Sequence, residues 1–183
     1  DYAEANDIST IGDIVEKKLP IRMATLKPGT ASEFVISSIF KKGFGVSWDD
    51  IKDWGGSVEY ASYDDGANLL ADNHIDMFTF SVGRAASIVM KIESQTDIVI
   101  LPVDEKAREA MKISLGTTTF NVDENIYKSV TGDVPVVGDY TCIIVRGDLP
   151  DDLVYAMAKS LWENKDSLSK SIKDIAELNP AEA

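Results

Sequence analysis

The residues best suited to holding a ligand lie in one short run, Lys27-Pro28-Gly29-Thr30-Ala31-Ser32. The run follows an alternating stretch, Ile21-Arg22-Met23-Ala24-Thr25-Leu26, and leads into a helical pattern. At such a strand-to-helix turn the first helical amides lack intrahelical acceptors, and the helix dipole favours negative charge there. Gly29 permits a tight turn, and Thr30 or Ser32 can present a hydroxyl. This is a seat for a carboxylate or another small anion. The same residues also make a capping box, Thr30 with Glu33, which accounts for them with no ligand at all. A second segment, Phe80-Ser81-Val82-Gly83-Arg84, ends an apolar strand and is expected to bring Ser81 and the Gly83 backbone beside the first loop. Arg84 either pairs with an anion or is an ordinary surface cation.

Other chemistry finds little support. The lone histidine, His74, falls in a turn before a strand, on the side of a parallel sheet away from ligands. The lone cysteine, Cys142, lies in the apolar run Tyr140 to Val145 and reads as a small buried hydrophobe. One His and one Cys cannot furnish a nitrogen–sulfur metal site. Phosphate-loop and dinucleotide glycine signatures are lacking. The acidic pairs Asp49/Asp50, Asp64/Asp65 and Asp151/Asp152 each fall in a helix first turn, where dipole complementation explains them. No catalytic residue, metal or cofactor is expected, and the chain reads as a binding module, not an enzyme.

Charge narrows the partners. With 18 basic and 31 acidic residues among 183, the net charge is −13. Such a surface repels phosphates, which argues against nucleic acid and anionic membranes. No run approaches the roughly 20 apolar residues of a membrane span. The opening Asp1-Tyr2-Ala3-Glu4, with no initiator Met and no signal peptide, is expected of a processed or trimmed chain.

The elements that must position these residues alternate. A short helix over 8–18, capped by Ser9 or Thr10, is stopped by Pro20, and a strand follows over 21–26. The next helix carries Phe34, Val35, Ile39 and Phe40 on one side, with Gly43 as its left-handed cap. Ser47 opens a shorter helix, 57–61 is a strand, and 63–73 is a helix with Ala67, Leu70 and Ala71 inward. Residues 75–82 form a continuous apolar strand, a helix carries Ala86, Ile88, Val89 and Ile92, and 97–101 is another strand. Alternation from 21 to 103 specifies parallel βαβ units with helices on both faces. Beyond come a charged helix over 104–112 and an aperiodic stretch over 114–139. A strand is expected within 136–145, a Pro150-initiated helix with the stripe Val154, Met157, Ala158, Leu161 and Trp162, and a last helix over 171–178.

Four stretches in this order carry a family resemblance: Pro20 to Phe34, Ile75 to Gly83, Asp97 to Glu105, and Asp148-Leu-Pro-Asp-Asp-Leu-Val-Tyr-Ala-Met-Ala-Lys-Ser-Leu-Trp-Glu-Asn. Together they resemble the extracytoplasmic solute-binding proteins of TRAP transporters, TAXI branch. The resemblance implies a type II periplasmic-binding-protein fold in which two α/β lobes close on a small ligand, commonly an amino acid or other carboxylate. The ligand then passes to a membrane permease. It further implies an extracytoplasmic location and assigns ligand contact to Gly29, Thr30, Ala31, Ser32, Ser81 and Gly83, beside Lys27 of the same loop. The family's Gly-Thr-Tyr-Pro segment falls on Gly116-Thr117-Thr118-Thr119-Phe120, so Thr118 or Phe120 stands where an aromatic usually does. On this comparison residues 1–20 are a leading crossover segment. Residues 21–103 are a complete parallel-sheet, three-layer αβα lobe, and 104–183 are a hinge return and the C-terminal segment of the other lobe. The family's first roughly hundred residues have no counterpart here. The resemblance therefore implies a truncated chain that binds weakly alone and whose 154–161 stripe can self-associate.

Two other readings of the same fold are a ligand-sensing regulatory domain and a carboxylate-dependent enzyme. The latter predicts turnover that is lost on Asp64→Asn or Asp65→Asn.

Overall fold

In the computed structural model, which describes residues 2–139, 142–172 and 175, the two faces of one strand set the architecture. Arg22–Thr25 forms β1, the middle of a three-stranded parallel sheet with β2 (Ser57–Tyr60) and β3 (Met77–Thr79) in the order β2-β1-β3. Met23 pairs with Val58 and Met77, and Thr25 pairs with Tyr60 and Thr79. Register partners in a parallel ladder share a face, and successive residues alternate. Met23 accordingly packs with Ile14, Phe40, Ile51 and Met111, whereas Ala24 packs with Ala61, Ile75, Leu69 and Leu70. After a first short helix, α1 (Tyr2–Ala5), the first group comes from helices α2 (Ile11–Glu16), α4 (Trp48–Asp53) and α7 (Glu105–Leu115) and from the π-helix Ile39–Phe44. The second comes mainly from α5 (Tyr63–Ala71) and the segments flanking it. The expected three-layer α/β arrangement is what the structure shows, and burial on both faces explains the apolar β1 sequence.

Local chemistry places the helices. Thr10 caps α2 in a complete capping box with Asp13, and the Asp104 carboxylate accepts from the Thr10 hydroxyl at 3.0 Å and the Gly12 amide at 2.8 Å. Helix α3 (Ala31–Ser38) runs into the π-helix, and the left-handed cap is Gly45, not Gly43. Gly43 serves close packing instead. A Cβ there would lie 2.5 Å from Ala107 Cβ, so its absence lets α7 close on the π-helix. Phe34, expected on the buried side, is exposed, while Val35, Ile36, Ile39 and Phe40 pack inward.

Three expected strands come out differently. The strand expected over 75–82 is laddered only over Met77–Thr79. Residues 97–101 alternate, with Ile98 and Ile100 packed inward and Val99 outward, yet join no ladder. Just beyond them the Val103 amide donates to Pro135 O at 2.9 Å. The stretch 114–139, expected to be irregular, holds an antiparallel pair, β4 (Thr118–Val122) and β5 (Val134–Gly138). Cys142 is exposed and not a buried strand residue, because β5 ends at Gly138 and 142–145 is not laddered. Tyr140 and Thr141 and most of the helix expected over 171–178 lie outside the described residues.

The chain divides into two units, Asp1–Val82 with Ala86–Asp139, and Gly83–Ala85 with Tyr140–Ala183. The first unit continues past residue 103 because α7 packs against the π-helix. In it α6 (Ser87–Gln95) packs beside α5. In the second, α8 (Asp151–Glu163), with Pro150 as its N-cap residue, precedes α9 (Lys165–Leu168) and buries no residue fully. Among the described residues no helix is long and apolar enough to cross a membrane.

Candidate functional site

The C-terminal ends of β1 and β3 lie side by side, which brings two of the expected segments together. Lys27 to Ala31 is exposed and Gly29 adopts φ 89°, the left-handed conformation that favours glycine. The Thr30 hydroxyl donates to Lys27 O at 2.9 Å and accepts from the Glu33 amide at 3.1 Å, capping α3. The expected capping box is only half formed. Glu33 turns its carboxylate to the Trp48 indole N–H, 3.3 Å away. Ala31 and Ser32 occupy the first two helical positions, where amides have no acceptor within the helix.

Ser32 is buried, and its Oγ accepts the Ser81 amide at 2.7 Å. Ser81 thus meets the first loop as the sequence suggested. The Ser81 carbonyl in turn accepts from the Tyr63 hydroxyl at 3.0 Å. Tyr63 opens α5 behind the N-cap Ser62 and meets Phe80 edge-on, with ring centroids 5.8 Å apart. Sequence reasoning missed Tyr63, since nothing in its spacing marks a partner 18 residues away. Below them, the buried Thr79 hydroxyl donates to Ala24 O at 3.2 Å. Among the described residues the fully buried Thr25 hydroxyl has no hydrogen-bond partner.

The other expected contacts take no part in these hydrogen bonds. Gly83 belongs to the second unit, with Arg84 and Ala85, and is exposed. Thr118 and Phe120 sit in β4 on the separate two-stranded sheet, where Phe120 lies over Gly138 so closely that no Cβ fits there. His74 is an exposed turn residue at the opposite, N-terminal edge of the sheet. That edge is closed by Arg22, which donates to Asp76 through its amide at 2.9 Å and its guanidinium at 2.6 and 3.0 Å. Asp64 pairs with Lys91 at 2.6 Å, and Asp65 accepts from the Ser62 hydroxyl at 2.7 Å, so both carboxylates have structural partners.

Glu93 of α6 anchors the segment after β4. It accepts from the Ser129 amide and hydroxyl and from the Lys128 amide at 2.7, 2.6 and 3.2 Å. Burial alone would raise its pKa, but the Ser129 and Lys128 hydrogen bonds outweigh it and leave the carboxyl below its ordinary value.

The sequence signature of the NMT1-like family matches residues 2–183, nearly the whole chain. The chain belongs to the NMT1-like family. This family is periplasmic-binding-protein-like, in keeping with the parallel sheet and its two helical layers. Membership implies a solute-binding type of fold and a small-molecule ligand. No curated protein matches the chain. Within the NMT1-like frame, the edge built by Gly29, Thr30, Ser32 and Ser81 is where ligands of open parallel sheets gather.

Proposed function

We propose that this NMT1-like chain is the solute-binding component of a TRAP transporter of the TAXI branch. In this reading it works outside the cytoplasm, captures a small carboxylate and hands it unchanged to a membrane permease. It is a carrier and not an enzyme. The observation that carries the reading is the Ser32–Ser81 hydrogen bond at the C-terminal edge of the sheet. That bond fixes the loop beside two amides that open a helix. A carboxylate placed there accepts from the Ala31 and Ser32 amides, and the Ser32 hydroxyl, already accepting from Ser81, keeps its proton to donate. Lys27, exposed at the turn, adds local positive charge to a strongly negative protein.

The test is thermal unfolding of the full-length protein against a panel of amino acids, dicarboxylates and keto acids. A true ligand at about a hundred times its Kd adds roughly 2.7 kcal/mol of stability. Silence across the panel would sink the proposal.

A further inference from the structure

We infer that the open edge of β4 pairs with β4 of a second copy of this chain, antiparallel and centred on Phe120. This edge takes no part in the proposed ligand seat. Pro135 decides which way β4 points its hydrogen-bonding groups. It has no amide hydrogen, and its carbonyl accepts the Val103 amide at 2.9 Å instead of a donor on β4. Its register partner Asn121 therefore belongs to a non-hydrogen-bonded pair, and the ladder bonds run through Thr118, Phe120 and Val122. Successive residues of an antiparallel strand turn these groups to opposite sides. The amides and carbonyls of Thr119 and Asn121 accordingly face away from β5. Among the described residues no backbone group pairs with them there.

Thr119, Phe120 and Asn121 are exposed, and half-buried Thr118 and Val122 flank them. Phe120 stays 42% exposed although its ring lies on Gly138. An open edge of this kind is ordinarily guarded by charge or proline. Here no residue from Ile113 to Val122 is charged or is proline, in a chain in which 27% of residues are charged. A two-stranded sheet is also marginal alone, and further strands strengthen it.

The occupant that fits is the same strand. Pairing centred on Phe120 lets Thr119 of each copy exchange backbone hydrogen bonds with Asn121 of the other, which meets both outward-facing residues. The two Phe120 side chains then share a face as a non-hydrogen-bonded pair, with Cα atoms about 4.5 Å apart, and cover one another. Thr118 falls opposite Val122 and Asp123 opposite Thr117, so no carboxylate faces another across the ladder. A chain of net charge −13 needs such an uncharged strip to meet its own copy. A strand pair this short buries too little surface for a permanent dimer, so the association is weak and reversible.

Sedimentation velocity of the 183-residue chain, carried up to about 1 mM, reads the association. A reversible monomer–dimer equilibrium is expected, and added salt is expected to tighten it by screening the repulsion between acidic copies. Asn121→Pro removes an outward amide, costs no ladder bond and repeats in β4 what Pro135 does in β5. It is expected to keep the fold and to weaken dimerisation at least about tenfold. Thr119 is left in place because its hydroxyl accepts from Arg108 at 3.2 Å. Cross-linking reads the register independently of that variant. With the free cysteine removed by Cys142→Ser, Phe120→Cys is expected to give a disulfide-linked dimer under an added thiol oxidant. Thr118→Cys, about 13 Å from its counterpart in this register, is expected to give none. A chain that stays monomeric throughout overturns the inference. So does a dimer that salt dissolves, that Asn121→Pro leaves unchanged, or that cross-links through Thr118→Cys as readily as through Phe120→Cys.

Discussion

The Ser81 amide and the Ser32 hydroxyl, 49 residues apart, meet at 2.7 Å and tie the end of β3 to the first turn of α3. The bond joins the segments that leave two neighbouring strands in the sheet order β2-β1-β3. It fixes the loop by tertiary structure and not by capping alone, since Thr30 supplies the cap and Glu33 is engaged with Trp48.

Ser32→Ala removes the acceptor and leaves a part-buried amide unsatisfied. The expected cost is about 1–2 kcal/mol of stability, read as a lower urea midpoint at unchanged slope. Under the proposed function the same variant also weakens acid binding. A variant as stable as the wild type would show that Ser81 finds another acceptor.

Gly29 and Gly43 separate two kinds of glycine requirement. Gly29 has φ 89° and open space around its absent Cβ, so Gly29→Ala costs only backbone strain, about 1–2 kcal/mol. Gly43 lacks positive φ, yet its Cβ would collide with Ala107, so Gly43→Ala forces α7 away from the π-helix at about 1–3 kcal/mol. Pairing each with a compensating change distinguishes them. Ala107→Gly is expected to rescue Gly43→Ala in part and Gly29→Ala not at all, by thermal melting of the double variants.

Much of this was legible in the chain because it is local. Apolar alternation marked β1, turn residues marked the 27–32 loop, and the Ser9/Thr10 cap appeared at Thr10. The meeting of Ser81 with that loop followed from parallel alternation alone. What escaped was set by distant partners. Gly43 reads as a helix cap until Ala107 is placed against it. Residues 97–101 alternate like a strand, but periodicity cannot say whether a ladder partner exists. The packing of Phe120 on Gly138 likewise emerges only when β4 is paired with β5. Tyr63 looks like any first-turn aromatic until Ser81 arrives.

Glu93 gives a pH signature. Its folded pKa lies below the ordinary 4.5, so the folded state binds this proton less readily than the unfolded chain. The associated stability is fully present above the unfolded value and is lost as pH falls through the lowered folded value. Glu93→Gln is therefore expected to be less stable than wild type near neutrality, with the gap narrowing below about pH 4.5. Melting curves of both proteins across about pH 3–7 check this. A gap that stays constant with pH would mean that geometry, not charge, supports the Ser129 contacts.

Arg22 and Asp76 provide the control for every binding measurement, because they close the sheet edge opposite the proposed seat. The Asp76 side chain is only 4% exposed and accepts from the Arg22 amide and guanidinium, while Arg22 also donates to Asn73 O at 3.0 Å. Arg22→Met leaves a nearly buried carboxylate with only a backbone donor from Arg22. Removing one partner of such a pair destabilises the fold, and the partial exposure of Arg22 itself moderates the loss. The expected result is a lower urea midpoint than wild type. Because β1 transmits little to its other end while the ladder holds, the affinity of the folded protein for any acid that binds is expected to change by less than about twofold. Stability would come from urea unfolding and affinity from titration at a temperature where the variant is folded. A large loss of affinity without loss of structure would place the ligand at the Arg22 edge and refute the site at Ser32 and Ser81.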